Sequence, residues 1–226
     1  KGRIDLVTNI DKKAEDVIIN IIKTSYSSHN ILTEERQLAQ DPEQKFLWII
    51  DPLDGTTNYV HGFPFVAVSI ALHYNGVPQL GVVYNPILEE LFYAEKGSGS
   101  LKNDSPIAVS SNMNIEKAFL VTGFPYNMEN DARNNIENFV NVIRRCRGIR
   151  RVGSAAIDLC YVACGIFDGF WELELSPWDT AAGEFIVKQA GGIVTKIDSS
   201  PFSIFDKEIV ATNGRIHETL LKILQN

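Results

Sequence analysis

The chain has 226 residues, with 45% hydrophobic and 22% charged residues and a net charge of −7 at pH 7. Those proportions are globular and exclude wholesale disorder, and the length suits one large domain or two small ones with a real core. No apolar run approaches the roughly 18 residues that a membrane span needs, and the acidic balance argues against a nucleic-acid-binding sleeve, which wants a basic face.

In chain order, Thr8 followed by Asp11 looks like a helix start, and Ala14, Val17, Ile18, Ile21 and Ile22 recur at helical spacing. Residues 10–25 are therefore predicted to form an amphipathic helix. The wholly apolar run 46–50 reads as a buried strand that ends at Asp51-Pro52, because proline cannot donate to a ladder. Residues 65–83 are rich in Val, Ile and Ala and are broken by Tyr74-Asn75-Gly76, a hairpin signal. A strand at 91–94 and a turn at 96–99 complete an antiparallel half with one helix face. The second half alternates, with strands expected at 118–122, 149–152, 167–173, 192–197 and 208–211. Helices are expected at 131–146, 155–163, 178–190 and from 215 onward. That alternation suggests a layered α/β half. The whole reads as one unit, 1–226, with subdomains 1–112 and 113–226.

The three cysteines, Cys146, Cys160 and Cys164, make no disulfide framework and fit a reducing cytoplasm. Cys160 and Cys164 lie four apart on an expected helix and could face a metal, but no further soft ligand is near, so buried thiols are expected. Arg144, Arg145 and Arg147 could hold a phosphate, although a solvated helix end is the plainer reading. His29, His61, His73 and His217 lie outside the acidic motifs and read as structural or surface groups. The start at Lys1, without a signal peptide, points to a piece of a longer chain.

The informative segment is Asp51-Pro52-Leu53-Asp54-Gly55-Thr56-Thr57-Asn58. Two acids stand at the end of a buried strand with no Lys or Arg beside them. Buried, unpaired carboxylates cost several kcal/mol, and a divalent cation would remove that cost. Pro52 and Gly55 can bend the backbone so that both carboxylates and the Leu53 carbonyl point one way, an all-oxygen set that suits Mg2+. Gly55-Thr56-Thr57 would open a helix whose N–H groups suit phosphate. Read alone, the segment is equally an acidic turn. Two further acids add weight: Glu34-Glu35 after an apolar run, and Asp179 before the small residues Thr180-Ala181-Ala182-Gly183.

In this order, Glu34-Glu35, Asp51–Asn58 and Trp178–Gly183 resemble the inositol monophosphatase family, the lithium-sensitive, magnesium-dependent phosphatases that include the bacterial SuhB proteins. Gly62–Ser69, Gly153-Ser154-Ala155-Ala156 and Gly191-Gly192 also match, so the resemblance covers nearly the whole chain. It implies a five-layer α-β-α-β-α sandwich of the inositol monophosphatase and fructose-1,6-bisphosphatase type. It implies a metal shell of Glu34, Asp51, the Leu53 carbonyl, Asp54 and Asp179, holding two or three Mg2+ ions. Asp11, Glu34 and Thr56 would orient the attacking water, and Gly55 and Thr56 would bind the phosphate. Glu172, with Ser154 and Ala155 through their backbone, would take substrate hydroxyls.

The implied reaction is hydrolysis of inositol monophosphate, or a similar small polyol phosphate, in a cytoplasmic homodimer with no direct nucleic-acid contact. Arg150 and Arg151 would pack near the dimer interface or the site rim. The alternatives are fructose-1,6-bisphosphatase, histidinol-phosphate phosphatase or nucleotide 3′-phosphatase activity, or a SuhB-like binding role with transcription factors. The chain departs from the family in carrying Thr33 where Gly usually precedes the acid pair, in a short loop after Glu35, and in lacking the helix usual upstream of Lys1.

Overall fold

The computed structural model describes residues 9–36, 38, 40–41, 43–125 and 135–225. The Thr8 cap and the start of the helix expected at 131–146 lie outside them.

The first sheet has seven strands in sequence order: β1 (Asn30–Thr33), β2 (Phe46–Asp54), β3 (Ala67–Tyr74), β4 (Val77–Asn85), β5 (Glu90–Glu95), β6 (Ser100–Lys102) and β7 (Ser105–Ile107). β1 and β2 are parallel, and each later pair is antiparallel. The expected turn joins β3 to β4, with Asn75 at φ 50° and Gly76 at φ 74°, the left-handed pair that a tight hairpin demands.

The second sheet contains β8 (Phe119–Thr122), β9 (Gly148–Arg150), β10 (Gly169–Leu173), β11 (Ile193–Thr195) and β12 (Glu208–Thr212), in the order β11-β12-β10-β8-β9. β10, β8 and β9 run parallel, and β12 is antiparallel to both its neighbours.

Helices fill the three remaining layers. α1 (Asn9–Ser25) packs on β2. α4 (Ala155–Ala163) and α5 (Pro177–Gln189) lie between the sheets, and α5 touches β2, β3, β4 and β5 on one side and β11 and β12 on the other. α3 (Ile136–Ile143) and α6 (His217–Leu224) cover the outer face of the second sheet. This is the five-layer α-β-α-β-α sandwich that the resemblance implied.

Composition explains the layering. Every residue of α4 is buried, as expected for a helix covered on both sides. The small residues of α5 allow close approach: a Cβ on Gly183 would lie 2.7 Å from Leu159, and one on Gly81 would lie 2.8 Å from the Ala182 carbonyl. Alternation sends Ile49, Ala67 and Ala71 into the central core, while Trp48, Ile50 and Ile70 face α1. Asp51 shares the parity of Ile49, so it turns toward α5.

The sequence reading ended β2 too early. The strand continues through Pro52 to Asp54, but the ladder skips: Asp51 pairs with Ser69 and Asp54 with Ala67. Three steps on β2 thus meet two on β3, a bulge that tolerates proline because Pro52 has no amide to pair there.

Candidate active site

The site forms where β2 ends. Gly55, at φ 89°, turns the chain into α2 (Thr56–Val60), a single turn of helix. No side chain fits at Gly55, since a Cβ would lie 2.8 Å from the Phe65 carbonyl. Asn58 locks this corner with its side-chain amide, which donates to the carbonyls of Phe65 (2.7 Å), Val152 (2.9 Å) and Gly153 (3.3 Å). Sequence reading took Asn58 only as a family mark. Its role as a hub depends on contacts 94 and 95 residues away.

Within this frame Asp51 Oδ1 accepts from the Leu53 amide at 2.9 Å. Asp54 Oδ2 accepts from Ser154 Oγ at 2.7 Å and from the Ala156 amide at 2.8 Å, joining the bulge to the start of α4. The Ser154 hydroxyl therefore serves Asp54, and only its backbone is left for the substrate contact expected of it. Thr56 Oγ1 lies 3.0 Å from Asp11 Oδ1 on α1 and 3.2 Å from the Leu53 carbonyl. Asp179 sits in the first turn of α5, where its Oδ2 accepts from the Ser176 amide at 2.7 Å. It is thus a helix-capping acid as well as a cleft acid.

The electrostatics show which of these groups share a space. Burial first, then the charges of Asp54, Glu34 and Asp179, hold the Asp51 carboxyl well above the ordinary carboxylate range. Burial raises Asp54 to about 6, against hydrogen bonds from Ser154 and Ala156 that favour its charged form. Burial, then Asp54, lifts Asp179 to about 8, with Glu34 adding to the rise. Glu172, on β10, is raised to about 8 by burial and then by Asp179 and Asp54, with Arg151 opposing. Asp54, Asp179 and Glu172 are half-buried as residues, while Asp51 is 2% exposed and Asp11 is 1% exposed. A cavity of about 620 Å³ opens beside the cluster, lined by Glu34, Glu35, Arg36 and Trp178 among others.

Glu34, Asp51, Asp54 and Asp179, four acids from three separate stretches, thus repel one another in one cleft, with Lys207 opposing the rise at Asp179 and Arg151 opposing that at Glu172. Among the described residues no three His, Cys, Asp or Glu side chains close into a ready-made cage. The donor set nevertheless fits Mg2+: carboxylates with a backbone carbonyl, no thiol or imidazole, and a surplus of negative charge that a cation would relieve. Of the site residues named from the sequence, Thr56 meets Asp11 and the Leu53 carbonyl, Asp54 meets Ser154, and Asp51, Asp54, Glu34 and Asp179 share a field that reaches Glu172.

A family model described as "Inositol monophosphatase family" matches residues 1–226. The chain belongs to the inositol monophosphatase family. It is therefore a phosphatase. It is 47% identical over 225 residues to the inositol-1-monophosphatase of Synechocystis, covering 99% of this chain and 78% of the relative. It is 43% identical over 221 residues to the Nus factor SuhB of Escherichia coli strain K12, covering 98% and 83%. A solved inositol monophosphatase from Anabaena superposes with a TM-score of 0.93 at 46% identity, over 95% of this chain and 85% of that one. An IMPase/NADP phosphatase complexed with Mg2+ and phosphate superposes with a TM-score of 0.88 at 29% identity, over 99% and 84%.

Several other residues named from the sequence take structural places. Phe170 and Trp171 are wholly buried in the core. His217 bonds to Thr195 and Thr212, and His29 stacks between Tyr26 and Phe46. Cys146, Cys160 and Cys164 are free thiols, with Cys160 buried. Among the described residues no helix is long and apolar enough to cross a membrane.

Proposed function

We propose that the chain is a Mg2+-dependent phosphomonoesterase acting on inositol monophosphate or a similar small polyol phosphate. The observation that carries this reading is the mutual repulsion of Asp51, Asp54, Glu34 and Asp179 within one cleft, beside the Thr56–Asp11 pair. Glu34, Asp51, the Leu53 carbonyl, Asp54 and Asp179 would hold two or three Mg2+ ions. Bound there, Mg2+ would cancel the acids' charge, lower the pKa of a water and stabilise charge on the phosphate and leaving oxygen.

The chain's own groups supply the positioning. Thr56 Oγ1 has one proton. When it is given to Asp11, the oxygen lone pairs face the cleft and can accept from the attacking water. Glu34, on the loop after β1, would orient the same water. The Gly55 and Thr56 amides hold the phosphate at the start of α2. Glu172 accepts from substrate hydroxyls, and the Ser154 and Ala155 backbone at the start of α4 contacts them as well. The Asn58 clamp keeps the Gly55 turn registered against the start of α4, so phosphate and polyol subsites move together. No His or Cys nucleophile is required.

The reading extends to a cytoplasmic homodimer sensitive to Li+, as in the family. A phosphate-release assay with inositol monophosphate, fructose 1,6-bisphosphate, a nucleotide 3′-phosphate and an aryl phosphate, with Mg2+ and with EDTA, tests it. Metal-dependent turnover with preference for the inositol ester is expected. Failure to release phosphate from any of them with Mg2+ overturns it.

A further inference from the structure

Two residues from adjacent strands meet at the polyol side of the cleft. β8 and β10 run parallel with Trp171 opposite Thr122, so the next residues, Gly123 and Glu172, are neighbours. Trp171 turns into the outer core, where its Nε1 donates to Asn135 Oδ1 at 2.7 Å. Alternation then turns Glu172 toward the cleft. Gly123 lies directly in its path: a Cβ there would overlap the Oε1, Cδ and Oε2 atoms of Glu172.

Gly123 is not needed for its backbone freedom, since its φ is outside the left-handed range. Nor can its backbone yield easily. Its carbonyl accepts from Asn135 Nδ2 at 2.6 Å, and Asn135 is itself 3% exposed and also donates to Thr122 Oγ1 at 2.9 Å. What glycine provides is space. The Glu172 carboxylate rests against a bare α-carbon, and any larger residue at 123 must push it away.

The charges around that carboxylate are mostly negative. Asp179 and Asp54 repel it, and Asp158 on α4 is a third acid within range. Asp158 is 1% exposed, and its Oδ1 has no hydrogen-bond partner among the described residues. Arg151 is the cation that draws Glu172, from the exposed rim.

We propose that Gly123 is a specificity-determining positioning residue whose missing side chain seats the Glu172 carboxylate where it meets the substrate's hydroxyls. The proposal rests on the reading of Glu172 as the polyol contact.

The test compares kcat/KM for inositol monophosphate and for an aryl phosphate, which has no hydroxyl to offer Glu172. In Gly123→Ala the inositol-to-aryl ratio should fall about ten- to hundredfold, the size of a lost charged hydrogen bond, mainly through KM for the inositol ester. Adding Glu172→Asp, which retracts the carboxylate by one methylene, should recover part of the ratio. Gly123→Ala should cost nothing further in a Glu172→Ala background.

A ratio unchanged by Gly123→Ala, or additive losses in the double variant, overturns the proposal. If Gly123→Ala does not fold, the Gly123→Ala/Glu172→Ala double variant, relieved of the overlap, should fold, and its failure also overturns the proposal. A wild-type enzyme that cleaves the aryl ester and not the inositol ester instead overturns the polyol reading itself.

Discussion

Thr56 Oγ1 stands 3.0 Å from Asp11 Oδ1, although 45 residues separate them in the chain. The contact ties the first helix to the turn that follows the acidic bulge, and it fixes which way the Thr56 lone pairs face. Asp11 is 1% exposed, so its carboxylate has little water to lean on and keeps Thr56 as a partner.

Thr56→Val removes the hydroxyl while keeping the volume. Turnover should fall by about 10²–10⁴, the range for a lost general acid–base group, with a smaller change in KM. Asp11→Asn should give a comparable loss, and the double variant little more, because the two act as one unit. Independent, multiplying losses would show that the pair does not share a task.

Asp54→Asn should abolish turnover and leave the fold intact. The amide oxygen can still accept from Ser154 and Ala156, so the link to α4 survives. Removing one charge also relieves Asp51 and Asp179, which both feel Asp54. Melting without metal should be unchanged or higher, and the stabilisation by added Mg2+ should shrink. Near wild-type turnover at saturating Mg2+ would remove Asp54 from the metal shell.

Metal-free stability should fall as pH rises from 7 to 8. Asp179 and Glu172, raised to about 8, still hold protons in the folded state that the unfolded chain has lost near its ordinary value of about 4. The folded state thus binds more protons, so the free energy of unfolding declines with rising pH across that window. The lowered histidines His29, His73 and His217 work in the opposite sense, but only below about 6.5. Mg2+ binds the charged acids and should raise the melting temperature more at pH 8 than at pH 6. A metal-free melting temperature that climbs between pH 7 and 8 would contradict the clustering of these acids.

What could be read from the sequence divides by range. α4 is found at residues 155–163 as expected, because an apolar stretch between Gly153 and Gly165 has local boundaries. The β3–β4 hairpin was likewise written in Asn75-Gly76. β1, β6 and β7 went unread since three or four residues are too few to show a period. β2 was cut short because a single proline outweighed a bulge that only the partner strand β3 reveals. In the site, the acids were legible as a local pattern. The Asn58 clamp, the Ser154–Asp54 bond and the Gly123–Glu172 overlap join residues about 50 to 100 positions apart, and no local rule points to them.

The final prediction concerns the loop that carries Glu34. Glu15 on α1 is wholly buried and accepts from Thr33 Oγ1 at 2.8 Å and from Arg36 Nε, while Arg36 also donates to Asp16 at 2.7 Å. Thr33 and Arg36 flank Glu34-Glu35, so both ends of the acid pair are pinned to the helix that carries Asp11. The threonine found where the family usually has glycine is thus one half of a clamp. Arg36→Met keeps much of the side-chain bulk and removes the cation, leaving the Glu15 charge with Thr33 as its one hydrogen-bond donor among the described residues. Arg36 is partly exposed, which softens the loss, so a cost of about 1–2 kcal/mol in stability is expected. The functional signature is more specific. A loosened Glu34 should raise the Mg2+ concentration needed for half-maximal activity severalfold, while turnover at saturating Mg2+ recovers toward wild type. Thr33→Val should shift the same quantity in the same direction by less. A Mg2+ titration unmoved in both variants would show that the clamp stabilises α1 and plays no part in presenting Glu34.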